Sequence, residues 1–178
     1  MIGLERGNVT LVPHRSEWKR AYEAEVERLE SIAGDRLHGY EHVGSTAIEG
    51  IAAKPVIDLL AVVDDLSAAR ESLVPLLEEY GYEHRPGDVQ GRLFLAKGPR
   101  SNRTHYLSLT ERDSDFHAET LAFRDYLREN PDVAVEYESL KQKLAENHPN
   151  DRETYTERKG RFVERVLEDA MDDPNGSD

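Results

Sequence analysis

Two spacings of apolar residues alternate along this chain and predict a mixed fold. A helical spacing begins after Ser16, a candidate N-cap, and ends at Gly34. The residues that carry this spacing are Trp18, Tyr22, Val26, Leu29 and Ile32. The short apolar run VTLVP at 9–13, stopped by proline, precedes the helix, and a brief strand is expected at 40–44.

The segment PVIDLLAVV at 55–63 is apolar apart from Asp58 and is rich in β-branched residues. Such a run is typical of a strand covered on both faces, so we expect the central strand here. A helix should follow over 66–80, and Pro75 must kink or divide it. The segments 92–98 and 103–110 predict two strands of an antiparallel hairpin.

The spacing becomes helical after Phe116 and stays helical to the end of the apolar pattern. Two helices are predicted around the break at Asn130–Pro131, and a last one begins near Asp151, a candidate cap. This order predicts an α/β (α+β) fold, in which helices flank a mixed β-sheet and a helical block follows it. We expect one domain over 1–170 and a disordered acidic tail over 171–178.

Charge and composition narrow the possible classes of protein. The 178 residues include 36 acidic and 23 basic side chains, a formal net charge of -13, and no cysteine. This charge disfavours general nucleic-acid binding, and the composition excludes disulfides and thiolate metal sites. The first thirty residues contain no apolar core of signal-peptide length, and no stretch has the length of a membrane span, so we expect a cytoplasmic protein without membrane contact. Dispersed acids, with Arg outnumbering Lys, favour a halophilic protein over an ordinary acidic mesophilic one.

The stretch EHVGSTAIEGIAAKPVIDLL at 41–60 contains the candidate chemistry. Backbone N–H groups around Gly44, together with the hydroxyls of Ser45 and Thr46, can hold phosphate oxygens. Asp58 on the next strand can hold Mg²⁺ that bridges the same phosphates. The alternative is a tight turn followed by a structural aspartate that a hydrogen bond satisfies.

This stretch resembles the signature of the GrpB family, and further segments follow in the order typical of that family. They are the Arg92 strand, RTHYLSL, FRDYLRENP, SLKQKLA and YTERKGRF, so that the resemblance covers about 9–167. The family looks like a branch of the nucleotidyltransferase superfamily, which implies a nucleotidyltransferase-like sheet flanked by helices. Similar domains occur fused to dephospho-CoA kinase in some bacteria.

The sequence departs from that superfamily where metals would be held. Nucleotidyltransferases usually place two acids one residue apart, whereas Asp58 is followed by Leu59 and Leu60. The later strands supply no obvious replacement, so the sequence does not support a two-metal displacement. Within the family, Glu49 stands in place of an expected proline and Ser108 in place of an expected histidine.

Cations are expected to converge on the turn instead. The predicted ligand-binding cations are Lys54, Arg92, Lys97, Arg103, His105 and Arg124. Alternation along the strand places Arg103 and His105 on one face. The residues expected to line one concave site at the strand ends are Ser45, Asp58, Arg103 and His105. Solvated salt bridges are the simpler interpretation for three helical cations, Arg128, Lys141 and Lys159.

Two classes of function stay open. The first is transfer of a nucleotidyl or phosphoryl group. In it Ser45 and the turn hold phosphates, Asp58 places one Mg²⁺, and Lys54 and Arg103 neutralise developing charge. The second is a binding module for a nucleotide or phosphometabolite that lacks the catalytic carboxylates. A partner protein linked to coenzyme A metabolism is a further alternative, which the fusions in the family suggest.

Overall fold

A five-stranded mixed sheet organises the computed structural model, which describes residues 2–6, 8, 10–87 and 89–172. The strands are β1 (His38–Val43), β2 (Ile57–Val63), β3 (Tyr82–His84), β4 (Leu93–Lys97) and β5 (His105–Glu111). Their order is β1-β2-β5-β4-β3, in which β2 and β5 run parallel and the other neighbours antiparallel. The predicted mixed sheet is confirmed, although β5, not β2, lies at its centre.

Helix α1 (Glu17–Ala33) begins at the predicted residue, but the Ser16 side chain makes no capping hydrogen bond. Ser16 has φ -62° and ψ -24°, which are helical values, whereas a capping residue usually has extended backbone geometry. Its hydroxyl is therefore not directed at the first free N–H groups of the helix. Gly34 follows the last helical residue, as the sequence predicts.

The helical segment after β2 contains Pro75 and has a π-helical turn immediately before it. It consists of α2 (Leu66–Ala68), a π-helical turn (Ala69–Leu73) and α3 (Val74–Glu78). Pro75 has no N–H to donate, and its ring would clash with the carbonyl four residues earlier in a regular helix. The predicted disturbance therefore takes the form of a π turn immediately before the proline.

The C-terminal block contains α4 (Asp115–Glu129), α5 (Pro131–Asn147) and α6 (Arg152–Asp172), as the spacing predicts. Asp151 Oδ1 accepts a hydrogen bond from the Thr154 N–H at 3.1 Å, so Asp151 caps α6. The remaining residues of the expected tail, 173–178, lie outside the described residues, as does Val9. The part of the chain described above contains no helix with the length and apolar character of a membrane span.

The pleat of β2 directs its side chains to two different environments. The odd-numbered residues, such as Ile57 and Leu59, lie in the main core with Trp18 and Leu29 of α1. Asp58 therefore points to the other face of the sheet. That face is the side of the helical block, because Lys141 of α5 and Lys159 of α6 interact with Asp58.

Candidate functional site

Asp58 and the turn at Gly44 are in direct contact. Val43 pairs with Asp58 in the sheet, so the chain turns at Gly44 immediately beside the Asp58 side chain. A Cβ atom on Gly44 would lie 2.4 Å from Asp58 Oδ2, and the φ of Gly44 is +72°. Both the contact and the backbone angle require glycine. The structure thus brings Asp58 to the turn that contains Ser45.

Three lysines surround Asp58 from different parts of the chain. We call them the lysine cluster: Lys54, Lys141 and Lys159. Lys54 precedes β2, whereas Lys141 and Lys159 belong to α5 and α6. The charges of all three lower the pKa of Asp58, although the burial that raises this pKa is the larger effect. Three separate segments therefore place a positive charge near one carboxylate.

Two buried tyrosine rings hold the ammonium groups of the lysine cluster. Lys54 Nζ lies 4.4 Å from the centroid of the Tyr155 ring, and Lys141 Nζ lies 4.8 Å from that of Tyr137. Lys159 Nζ lies 5.9 Å from the Tyr137 centroid and 6.0 Å from the Tyr155 centroid. These distances allow cation–π attraction, so the rings fix the positions of charges that would otherwise repel one another.

Arg92 adds a fourth cation to the same face of the sheet. Its Nη1 donates a hydrogen bond to Ser108 Oγ at 3.1 Å. Its guanidinium lies 4.5 Å from the Phe94 ring centroid and 5.3 Å from that of Phe116. Together with the lysine cluster, Arg92 gives four cationic side chains around the single carboxylate of Asp58.

Burial favours the neutral forms of Asp58, Lys54 and Lys141. It raises the pKa of Asp58 to about 6, and it lowers the pKa of Lys54 to about 8 and that of Lys141 to about 7. Within the described residues, no hydrogen bond or ion pair engages the Asp58 carboxylate. The pKa of Lys159 is instead raised, chiefly by Tyr137, so this lysine stays charged. A half-buried carboxylate without a direct partner, beside a lysine whose pKa is shifted close to neutral pH, is typical of a functional site.

The side chains near Asp58 can supply ligands for one Mg²⁺ ion at most. The described residues contain no group of three or more His, Cys, Asp or Glu side chains that could hold a metal. Mg²⁺ is often bound by one or two carboxylates plus the phosphates of a ligand, and Asp58 can supply one such carboxylate. A two-metal clamp needs further carboxylates that these residues do not offer.

Lys97 and His105, two predicted ligand-binding residues, lie on the opposite face from Asp58. His105 pairs with both Ile57 and Lys97, whereas Asp58 pairs with Tyr106. Because directly paired residues share a face and successive residues alternate, the pleat separates His105 from Asp58. The predicted concave site that contains both residues is therefore not formed.

On that opposite face, the two residues belong to a buried polar cluster around Glu25 of α1. The Glu25 carboxylate accepts hydrogen bonds from Lys97 Nζ at 2.7 and 2.8 Å and from the Tyr82 hydroxyl at 2.6 Å. Burial lowers the pKa of His105 to about 4, so its ring is neutral at pH 7. These contacts join α1 to the sheet, which is a structural role.

Arg103 and Arg124 are also engaged by protein groups. Arg103 is 1 % exposed and donates to the Gly98 carbonyl at 2.5 Å and to Glu83 at 2.6 Å, which closes the turn between β4 and β5. Arg124 donates to Glu41 at 2.5 Å and to Asp125 at 2.9 Å at the β1 edge of the sheet. The structure does not bring either guanidinium to Asp58.

A cleft of about 1090 Å³ lies between α1, β1 and the α4–α5 junction, and Thr46 lines it. The Thr46 hydroxyl is 2.9 Å from His42 Nε2, and the His42 ring stacks on Tyr22 with centroids 4.8 Å apart. Burial lowers the pKa of His42 to about 4, so this ring is neutral at pH 7. Both signs of charge line the cleft, and Arg124 is paired with Glu41.

The interpretation of Lys141 as a solvated salt bridge is wrong, because its side chain is buried. Lys141 is 1 % exposed and donates a hydrogen bond to the Ala52 carbonyl at 2.7 Å. A signal for both helical lysines of the cluster exists, because each follows a tyrosine by four residues on a helix, as Tyr137–Lys141 and Tyr155–Lys159. Residues four apart on a helix are neighbours, so the repeated pair indicates two ring-supported ammonium groups.

Comparison with protein families and curated proteins identifies relatives over nearly the whole chain. The model of the family described as GrpB protein matches residues 8–169. The Glutamate-rich protein GrpB of Alkalihalophilus pseudofirmus is 41% identical over 171 residues, which are 94% of this chain and 98% of that protein. The Dephospho-CoA kinase of Mycolicibacterium paratuberculosis is 30% identical over 85% of this chain, but only 43% of that protein is covered.

Solved structures share the fold. The crystal structure of conserved protein GrpB from Enterococcus faecalis has a TM-score of 0.82 and 34% identity, covering 91% of this chain and 97% of that one. The Cid1 poly (U) polymerase with bound MgGTP has a TM-score of 0.50 and 14% identity, covering 75% of this chain and 44% of that one. The second likeness concerns the fold alone, and the nucleotidyltransferase-like fold expected from the sequence is confirmed.

Asp58→Asn is expected to stabilise the ligand-free protein at neutral pH. The folded pKa of about 6 exceeds the ordinary 3.8, so the stability that Asp58 contributes is complete below 3.8 and is lost as the pH rises through 6. The amide variant lacks this loss and should gain about 1–3 kcal/mol relative to the parent protein between about pH 4 and pH 7. Urea unfolding measures this difference, with the exposed Asp35→Asn as the control. A less stable Asp58→Asn protein at pH 7 would identify Asp58 as a structural acceptor.

Gly44→Ala tests the contact between the turn and Asp58. Gly34→Ala is a matched control, because Gly34 also has a positive φ of +56° but has no atom within 4 Å of an added Cβ. Both variants should lose about 1 kcal/mol to backbone strain. Only Gly44→Ala should lose about 1–3 kcal/mol more through overpacking, and Asp58→Ala in the same chain should recover that excess. Equal losses in urea unfolding for the two glycine variants would contradict the contact.

Proposed function

The chain belongs to the GrpB family, and we propose that it binds a nucleotide or another phosphorylated small molecule between Asp58 and the lysine cluster. The observation that carries this proposal is the local excess of positive charge. Four cations surround one carboxylate, whereas the whole chain has a net charge of -13. A cationic site in such a chain concentrates small anions locally while the rest of the surface repels large polyanions.

The chemistry of the site favours phosphate among the possible anions. Lysine ammonium groups bind phosphate as point charges, and a polyphosphate has enough negative charge to neutralise several of them. The Ser45 hydroxyl, beside the contact of Gly44 with Asp58, makes no hydrogen bond to the described residues and is available as a donor. The proposed roles are therefore phosphate binding by the lysine cluster, Arg92 and Ser45.

Aromatic side chains on the same face favour a nucleotide. Tyr106 is paired with Asp58 and therefore shares its face, and its ring centroid lies 5.2 Å from that of Phe94. Both side chains are half-buried, so part of each remains accessible. Aromatic faces stack on nucleobases without strong sequence preference, which suits a base whose phosphates reach the lysine cluster.

Transfer of a nucleotidyl or phosphoryl group is the second candidate function. Its support is the Asp58 carboxylate, which no described side chain engages and which can share one Mg²⁺ with the phosphates of a ligand. When bound, the metal would supply Lewis-acid polarisation of a phosphate, and the lysine cluster would neutralise developing charge. Binding has the stronger support, since the described residues contain no group of three or more His, Cys, Asp or Glu side chains that could hold a metal. A role linked to coenzyme A rests only on the relative named Dephospho-CoA kinase.

Isothermal titration with nucleoside triphosphates and dephospho-CoA, with and without Mg²⁺, tests the proposal. The titration should be run in dilute and in concentrated potassium chloride, because the dispersed carboxylates of a halophilic protein repel one another in dilute buffer. Lys141→Met should weaken binding by about tenfold or more, corresponding to one lost charge-assisted contact. Lys143→Met, two residues along the same helix and exposed, is the control. Affinity should also fall as the pH rises through 7 and 8, where Lys141 and Lys54 lose their protons.

Thermal melting confirms that the variants are folded. Absence of binding to every phosphorylated ligand at both salt concentrations, or equal affinities of Lys141→Met and Lys143→Met, would overturn the proposal. Turnover of a triphosphate with Mg²⁺ that Asp58→Asn abolishes would establish transfer in addition to binding.

A further inference from the structure

A second pocket, of about 330 Å³, lies at the β3–β4 side of the sheet and is separate from the lysine cluster. Its charged and titratable lining residues among those described are three arginines and a histidine: Arg70, His84, Arg85 and Arg92. No described carboxylate lines it, in a chain with 36 acidic residues. We call this the arginine pocket.

Two of the arginines are held in place by the sheet and its aromatic residues. Arg92 is fixed by Ser108 and by the Phe94 ring, as described above. The backbone N–H of Arg85 donates to the Phe94 carbonyl at 2.8 Å, and the Arg85 guanidinium lies 5.9 Å from the same ring. The guanidinium groups are thus positioned by packing before any ligand is present, which reduces the entropy lost on binding.

One buried nitrogen of the Arg85 guanidinium, Nη1, has no hydrogen-bond acceptor among the described residues. A buried N–H group without a partner costs about 1–3 kcal/mol. None of Arg70, Arg85 and Arg92 forms an ion pair with a described carboxylate, and the one charge that raises the pKa of Arg92 is that of Asp58. A bound anion would supply the missing acceptor and the missing negative charge together.

We propose that the arginine pocket binds a phosphoryl group. Planar guanidinium forks match the oxygens of phosphate in bidentate hydrogen bonds, and a phosphate dianion compensates several arginines better than a monovalent carboxylate. The inference stands independently of the lysine cluster, because it rests on different side chains apart from Arg92. If the proposed function also holds, Arg92 lies between two anion subsites, and a ligand with two phosphoryl groups can occupy both.

Titration with inorganic phosphate and with pyrophosphate, followed by the side-chain Nε–Hε signals of the arginines in NMR, tests the inference. The signals of Arg85 and Arg92 should shift with saturation. Arg85→Gln should weaken phosphate binding by about tenfold, the equivalent of about 1.4 kcal/mol. The control is Arg161→Gln, an exposed arginine of α6 paired with Glu157 at 3.0 Å, which should bind phosphate like the parent protein. Arg85→Lys keeps the charge without the fork and should show an intermediate loss.

Lys141→Met separates this inference from the proposed function. The phosphate-dependent shifts of Arg85 should survive in that variant even if nucleotide binding is lost. Unchanged phosphate affinity in folded Arg85→Gln, or shifts confined to Arg161, would overturn the inference and leave the lysine cluster untouched. Loss of phosphate binding in Arg85→Gln but not in Lys141→Met, with no nucleotide bound by the parent protein, would support the arginine pocket and refute the proposed function.

Discussion

The packing of Asp58 against the α-carbon of Gly44 is the constraint on which the candidate site depends. Any side chain at position 44 would occupy the space of the Asp58 carboxylate. This contact places the carboxylate beside the turn that contains Ser45, on the face of the sheet where the lysine cluster lies. Burial makes the charged forms of Asp58 and Lys141 costly, so the ligand-free site holds unfavourable electrostatic energy. A phosphorylated ligand would relieve the part of that energy that belongs to Lys141, because bound phosphate favours the protonated ammonium.

Apolar spacing predicts most helices and strands of the fold. Which side chains lie together at the site depends on the register of the paired strands, which spacing does not give. The spacing predicts α1, β2, the β4–β5 hairpin and the three C-terminal helices, whereas β3 has only three residues and gives almost no periodic signal. Alternation along a strand predicts Arg103 and His105 on one face, but β5 begins only at His105. Their relation to Asp58 depends on the pairing of Ile57 with His105, and a register shifted by one residue would have put His105 beside Asp58. One sequence does not reveal that register.

The sequence also does not predict that the three lysines of the cluster lie together, because their positions depend on tertiary packing. Lys54 lies in a loop, and Lys141 and Lys159 lie on two helices whose rotation about their axes is set by tertiary packing. The Tyr137–Lys141 pair shows that ring and ammonium are neighbours, but it does not show which way they face. The nucleotidyltransferase-like fold supplies the frame, while function follows from the side chains placed on it. Here that frame carries one carboxylate and several cations, in place of the several carboxylates that a two-metal site requires.

Titration of the lysine side chains by NMR, observed at the Cε and Hε nuclei, tests the central claim most directly. In the free protein Lys141 should titrate near pH 7, because burial lowers its pKa to about 7 from the ordinary 10.5. With saturating nucleoside triphosphate its pKa should rise towards 10.5, since bound phosphate favours the protonated ammonium. The side-chain signals of the exposed Lys143 on the same helix, which should not respond to the ligand, are the control. A Lys141 titration that the ligand leaves unchanged, or that lies near the ordinary 10.5 in the free protein, would contradict a phosphate site built on the lysine cluster.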